Sequence, residues 1–328
     1  MIKAILAASA ALALTFPLAA EEAAKPAHPA PSEIVAAAPA AHWTAIPAED
    51  LLVMILAPDA EGKPRTVVIQ LMPAPFSQGW VHNIRLFARA KWYDGISVNR
   101  VQDNYVTQWG DPNYDNPEAT GTPKPLPKGL KVMGEESYAH QLAAVAMLTN
   151  PCLDRENARA TWVCDAYSPG ATFREGWPVA TDGIRQWPVH CYGMVGVGRN
   201  YSPDTGSGAE LYTVIGHAPR HLDRNIALVG RVIEGMQHLS SLPRGSGDLG
   251  FYTAAEAAKR TPIVSVRVGS DLPKAEQPRF EYLSTDSYTF ADYADAIANR
   301  RDPFFIAPAG GADICNIKVP VRRAAEAG

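Results

Sequence analysis

Trp92-Tyr93-Asp94-Gly95-Ile96-Ser97-Val98-Asn99-Arg100-Val101, followed closely by Tyr105-Val106-Thr107-Gln108-Trp109-Gly110-Asp111-Pro112, is the stretch that decides how this chain folds. Ile96–Val101 and Tyr105–Trp109 are rich in β-branched and aromatic residues and read as two short strands. Upstream, Leu51–Ala57 and Thr66–Leu71 are β-rich runs separated by Pro58-Asp59-Ala60-Glu61-Gly62-Lys63-Pro64, a dense turn signal, and together they predict a hairpin. In Pro75–Ala90 the residues Trp80, Ile84 and Phe87 recur at i, i+4 and i+7 while Arg85 and Arg89 face elsewhere. That spacing predicts one amphipathic helix.

Downstream, Asn113–Lys131 is punctuated by Pro, Gly and Asn and reads as loop. Glu135–Leu148 carries Tyr138, Leu142, Val145 and Leu148 on one side and stops at Asn150-Pro151, which predicts a second helix. Cys152–Trp187 shows no regular pattern. Strand-like runs resume at Tyr192–Val197, Leu211–Ile215, Ile226–Val232 and Ile263–Val268. The tail Asp271–Gly328 reads as a strand (Arg279–Leu283), a short helix (Phe290–Arg300) and a last strand (Ile314–Val321). Many short strands with few helices predict a mainly β protein, a closed barrel with helices packed at its ends.

The chain has 328 residues, 28 of them proline, which argues against a helical bundle. A formal charge of −4 with no basic block excludes nucleic acid and an anionic membrane surface as expected partners. Met1-Ile2-Lys3, the apolar run Ala4–Phe16 and the small residues Pro17-Leu18-Ala19-Ala20 have the layout of a secretory signal peptide. Residues 1–20 are therefore expected to be removed after Ala20, leaving a periplasmic or secreted protein without a membrane anchor. Residues 21–42 are almost wholly Ala, Pro and Glu and read as a flexible tether. Export places Cys152, Cys164, Cys191 and Cys315 where disulfides persist. Four cysteines allow three pairings, which sequence does not choose among. Proximity favours Cys152–Cys164, leaving Cys191–Cys315 to tie the tail to the main domain. His217 and His221 stand four apart, but Pro219 between them removes the helix that would make the spacing a metal signature, so no metal is expected.

The opening stretch closely resembles the cyclophilin signature, in which Y-D-G-x-x-F-H-R-V is followed by F-M-x-Q-G-G-D-P. Ala74-Pro75 and Asn83 fall where that family has its A-P and helix N-F. Tyr192-Gly193-Met194 resembles L-S-M, Leu222-Asp223 resembles W-L-D, Gly230-Arg231-Val232 resembles F-G-K-V, and Glu234-Gly235-Met236 matches E-G-M. The resemblance implies an antiparallel barrel of about eight strands spanning residues 43–270. It also implies an insert at about 113–190 and a C-terminal extension at 271–328, neither covered by the family pattern. It further implies a peptidyl-prolyl cis–trans isomerase that needs no cofactor and takes proline-containing segments of unfolded or exported proteins. Arg100 matches the family's catalytic arginine and Gln108 the glutamine beside it. Tyr105, Val106, Tyr212 and Leu222 match pocket positions.

The departures are as specific. Asn99 replaces the histidine before the arginine, Trp109 fills a glycine position, and Ile226 replaces a second histidine. Ala209-Glu210-Leu211-Tyr212 stands for S-Q-F-F, and His221 for the tryptophan of W-L-D. Glu210 and His221 are thus expected at the substrate groove, making one wall more polar, with Glu210 drawing on Arg100. Retained Arg100, Gln108 and Tyr105 favour an active isomerase. The substitutions favour an alternative, a catalytically weak module that binds proline-containing segments as a periplasmic chaperone or assembly factor.

Overall fold

Hydrophobic alternation and one amphipathic helix set the architecture, and the computed structural model describes residues 28–114, 116–143 and 165–324. In chain order come α1 (Pro31–Ala36), β1 (Trp43–Ile46), β2 (Leu51–Leu56), β3 (Arg65–Leu71), α2 (Gln78–Arg89), β4 (Ser97–Val101) and β5 (Val106–Gly110). Next are β6 (His140–Gln141), β7 (Gly170–Arg174), β8 (Trp177–Thr181), β9 (Arg185–Pro188), β10 (Met194–Val197), β11 (Leu211–Val214) and β12 (Leu228–Glu234). The single turn α3 (Gln237–Ser240), β13 (Ile263–Val268), β14 (Phe280–Leu283), α4 (Tyr288–Ala298) and β15 (Val321–Arg323) complete the order.

Eight strands form one antiparallel sheet in the order β13-β2-β3-β12-β10-β11-β5-β4. The predicted hairpin is β2 with β3, in register from Leu51 opposite Gln70 to Leu56 opposite Arg65. The two outer strands approach one another. A bridge joins Ser97 to Pro262, and the amides of Gly95 and Ile263 donate to Ile263 O and Ile96 O at 2.9 and 2.8 Å. This curls the sheet into the expected barrel and removes its long edges.

Helix α2 caps one end. Trp80, Val81, Ile84 and Phe87 are fully buried, each contributing roughly 1.5–3 kcal/mol by leaving water. On its solvent side Arg85 pairs with Asp50, and Arg89 with Glu49 and Asp271.

The residues outside the barrel depart from the sequence reading in four places. The described part of the expected tether is structured: α1 packs on α4, with Ile34 and Val35 against a small core of Trp43, Leu283, Phe290, Tyr293, Ala294 and Ile317. Pro31 stands at the first turn, where its missing N–H costs nothing, and the apolar pair supplies the anchor that bulk composition hid. Glu135–Leu148 does not begin as an α-helix. Glu135–Tyr138 is a 3-10 turn leading into β6, and positions from 144 to 164 lie outside the described residues, as does the proposed Cys152–Cys164 pair. Residues 170–188, read as irregular, form the meander β7-β8-β9, to which β6 adds a fourth strand. The expected last strand Ile314–Val321 is a 3-10 turn (Ile314–Asn316) followed by β15.

The meander lies on the barrel. Trp177, Val179, Trp187 and Val189 belong to the same core as the barrel interior, and the Arg231 guanidinium of β12 stacks on Trp177 at 4.5 Å. Burial lowers that guanidinium to about 10. β1, β14 and β15 form a separate antiparallel sheet that joins the two ends of the described chain. Cys191, just before β10, is disulfide-bonded to Cys315 in the tail, a sequence separation of 124.

Closing so long a loop restricts the unfolded chain by about 4–5 kcal/mol in the chain-entropy picture. The Cys191→Ala/Cys315→Ala variant is expected to lose about 2–5 kcal/mol of stability in urea denaturation. An unchanged midpoint would mean that the tail is held by β14 and α4 packing alone.

Candidate functional site

The site is written in the sheet register. Arg100 of β4 stands opposite Gln108 of β5, Gln108 opposite Tyr212 of β11, and Tyr212 opposite Gly196 of β10. Cross-strand partners face the same way, so these side chains form one row on the outer face of the barrel. Val106 and Val214 form the next row, clustering with Tyr212. A side chain at Gly196 would collide with Tyr212, its Cβ falling 2.3 Å from the hydroxyl oxygen. Glycine there lets the Tyr212 ring lie flat across the sheet.

Arg100 is held on several sides. Its Nε donates to Leu249 O at 2.7 Å, one Nη to Gln108 Oε1 at 3.1 Å, and the other to Gln102 Oε1. The rings of Tyr105 and Phe251 flank the guanidinium, each centroid 5.5 Å away. The loop carrying Leu249 approaches this closely through Gly250, at φ 82° and with space for no side chain against Gln102. Burial lowers the Arg100 pKa, yet guanidinium remains a cation near neutrality.

Arg100, Gln108, Tyr105, Val106, Tyr212 and Leu222 line one cavity of about 330 Å³. Phe251, Leu249, Ile226 and Pro117 complete its apolar part, and Arg199 and Asn200 its polar part. Two expected groove residues sit elsewhere. Glu210 is buried behind Gln108, accepting from Gln108 Nε2 at 3.3 Å, so the amide relays between cation and carboxylate where a direct pairing with Arg100 was expected. That relay fixes which way the amide points: oxygen toward Arg100, nitrogen toward Glu210. His221 is exposed on a 3-10 turn and stacks on Tyr105, with centroids 6.5 Å apart. Asn99 and Trp109 face the interior, each 1% exposed: Trp109 alternates with Gln108 along β5, and in β4 the register shifts at Asn99, between Val98 opposite Trp109 and Arg100 opposite Gln108, so Asn99 stays inward beside Val98 while Arg100 turns out. Asn99 donates to Gly110 O at 3.0 Å and accepts from Ser97 Oγ at 2.7 Å. The polar wall expected from these substitutions is therefore absent from the described groove.

Beneath Tyr212 lies a network that no local pattern announced. The Tyr212 hydroxyl is 2.9 Å from His190 Nε2, and His190 Nδ1 is 2.9 Å from Asp223 Oδ1. Asp223 accepts from Arg220 Nε at 2.6 Å, and Arg220 in turn forks onto Asp165 at 3.0 and 2.6 Å. All five side chains are essentially shielded from solvent. Its members are scattered from 165 to 223, too far apart in sequence to form a local motif. Phe251 and Leu249 were missed for a similar reason: they arrive from a loop distant in sequence. Among the described residues, no group of three or more His, Cys, Asp or Glu is placed to hold a metal ion.

The family model for the cyclophilin type peptidyl-prolyl cis-trans isomerase/CLD matches residues 66–268, well over half of the chain. The chain belongs to that family. No curated protein matches it. Among solved structures, the cyclophilin AquaCyp293 from Hirschia baltica shares the fold at a TM-score of 0.58 and 19% identity, covering 85% of this chain and 92% of that one. A cyclophilin type peptidyl-prolyl cis-trans isomerase from Cryptosporidium parvum, in the presence of the dipeptide Ala-Pro, matches at a TM-score of 0.35 and 10% identity. That match covers 66% of this chain and 98% of that one.

The buried network makes the pocket floor sensitive to acid. Burial is the main cause that lowers His190 below its ordinary 6.5, so the folded protein holds the imidazole neutral. As pH falls through about 6.5, the unfolded chain binds a proton that the folded chain declines, and stability drops by up to about 1.4 kcal/mol per pH unit. The His190→Gln variant is expected to lose this part of the slope as pH falls below about 6.5, read from urea midpoints. Equal slopes in parent and variant would show that His190 titrates alike in both states.

Proposed function

We propose that this chain is an active peptidyl-prolyl cis–trans isomerase acting on X-Pro bonds of exported proteins. The observation that carries the reading is a braced guanidinium beside an apolar cavity. Arg100 is fixed by Gln108, Gln102 and Leu249 O next to a space bounded by Val106, Tyr212, Leu222 and Phe251. The layout of residues 1–20 and the Cys191–Cys315 disulfide support export.

The chemistry needs little else. Rotation about a peptide C–N bond faces a barrier of roughly 18–20 kcal/mol because resonance is lost in the twisted form. Exchange at X-Pro takes roughly 10–100 s at 25 °C without help. No bond is made or broken, so acceleration comes from holding the twisted amide more tightly than either planar form. The apolar walls hold the pyrrolidine ring. Three of the five Arg100 N–H donors are used in bracing it, which leaves one on each Nη for the substrate. Directed at the substrate carbonyl or at the proline nitrogen, they stabilise the charge that localises as resonance breaks. Preset bracing means Arg100 does not reorganise when the amide twists.

A second reading rests on the same bracing. A guanidinium held by three acceptors and two rings is less free to engage substrate, which suits a weak catalyst that binds proline-containing segments. Exchange rates of short X-Pro peptides with a panel of residues at X separate the two. Wild-type protein is expected to accelerate exchange, and Arg100→Ala to lower kcat/KM about 10²-fold, as for loss of one transition-state donor. Peptide binding without acceleration across the panel would sink the isomerase reading and favour the binding module.

A further inference from the structure

Resting on the reading of this cavity as the groove for a proline-containing segment, the geometry points to a substrate with an acidic side chain close to the proline, bound by Arg199. The cavity contains two guanidiniums, Arg100 and Arg199, and no Asp or Glu among the described residues that line it. Its lining thus carries two cations, in a chain whose net charge is −4, with the Glu210 carboxylate set back behind Gln108.

Arg199 is built into place. Its Nε donates to Asn225 O at 2.9 Å and its Nη1 to Asn200 O at 2.6 Å, so backbone carbonyls from two separate loops fix the side chain across the rim beside Leu222 and Ile226. Those bonds use two of its five donors and leave the outer edge of the fork, the geometry that suits a carboxylate. None of the ion pairs among the described residues includes Arg199. The acidic residues nearby are committed elsewhere: Asp204 accepts from the Asn200 and Gly206 amides, and Asp223 is held by His190 and Arg220.

Position in the sheet sets the range. Arg100 is on β4 and Arg199 just past β10, with β5 and β11 between them. Three strand spacings of about 4.8 Å separate the two backbones, and an extended peptide advances about 3.3 Å per residue. A segment whose proline lies over Tyr212 therefore brings a side chain to Arg199 within about one to three residues of that proline.

The test uses the full-length protein and short peptides containing one proline, each with a single Glu placed from three residues before it to three after, and matched Gln controls. Binding is read by fluorescence anisotropy and exchange by NMR. The expected result is one Glu position that binds about five- to tenfold more tightly than its Gln control, an advantage that shrinks in high salt. Arg199→Gln is expected to abolish that advantage. No preferred Glu position in the wild type, or a preference that survives Arg199→Gln, overturns the inference. The binding arm reads this independently of turnover. Acceleration without a Glu preference removes the inference and leaves the isomerase standing; a Glu preference without acceleration does the reverse.

Discussion

The alignment of β4, β5, β11 and β10 is the constraint on which the rest of this molecule depends. An antiparallel register, shifted once at Asn99 in β4, carries Arg100, Gln108, Tyr212 and Gly196 across four strands and leaves them on one face. A slip of one residue in any strand would send its member of the row to the opposite face. Barrel closure, the cap formed by α2 and the buried interior hold that register. β5 is buried along its whole length, since the interior covers one side and the groove cluster the other.

This explains which parts were readable in sequence. Arg100 and Gln108 lie close together on adjacent strands, so the stretch around them carries both strand pattern and chemistry. The hairpin, α2, β13 and α4 were readable for the same reason, since each is set by residues within one or two turns or strands. The residues that sequence misplaced depend on distant partners. Glu210 reads as a groove residue until the amide between it and Arg100 is placed. His221 reads as a wall until its 3-10 turn carries it outward to stack on Tyr105. Trp109 looks obstructive in a linear pattern, and simple strand alternation resolves it.

Residues 165–190 offer the clearest case of structure without a local signal. Strands of four or five residues containing Pro178 and Pro188, with Gly176 in the turn between β7 and β8, resemble loop, and they become a sheet because the barrel face beneath gives Trp177 and Trp187 somewhere to go. In return this region supplies His190 and Asp165, which fasten the turn bearing Leu222 and anchor Tyr212 from below. A segment without a local strand signal thus holds the floor and one wall of the Arg100 cavity. The apolar pocket is not independent of the addition laid over the barrel.

The sheet made of β1, β14 and β15 has a consequence for how the molecule is assembled in time. Trp43 and its neighbours pair with residues near the other end of the chain. While the protein is being made, β1 has no partner until residues 280–283 have emerged, and contacts so far apart in sequence form slowly. Completion of this small layer therefore follows the barrel and acts as a latch: a chain cut short before β14 keeps every barrel strand but leaves β1 unmatched and Trp43 in water.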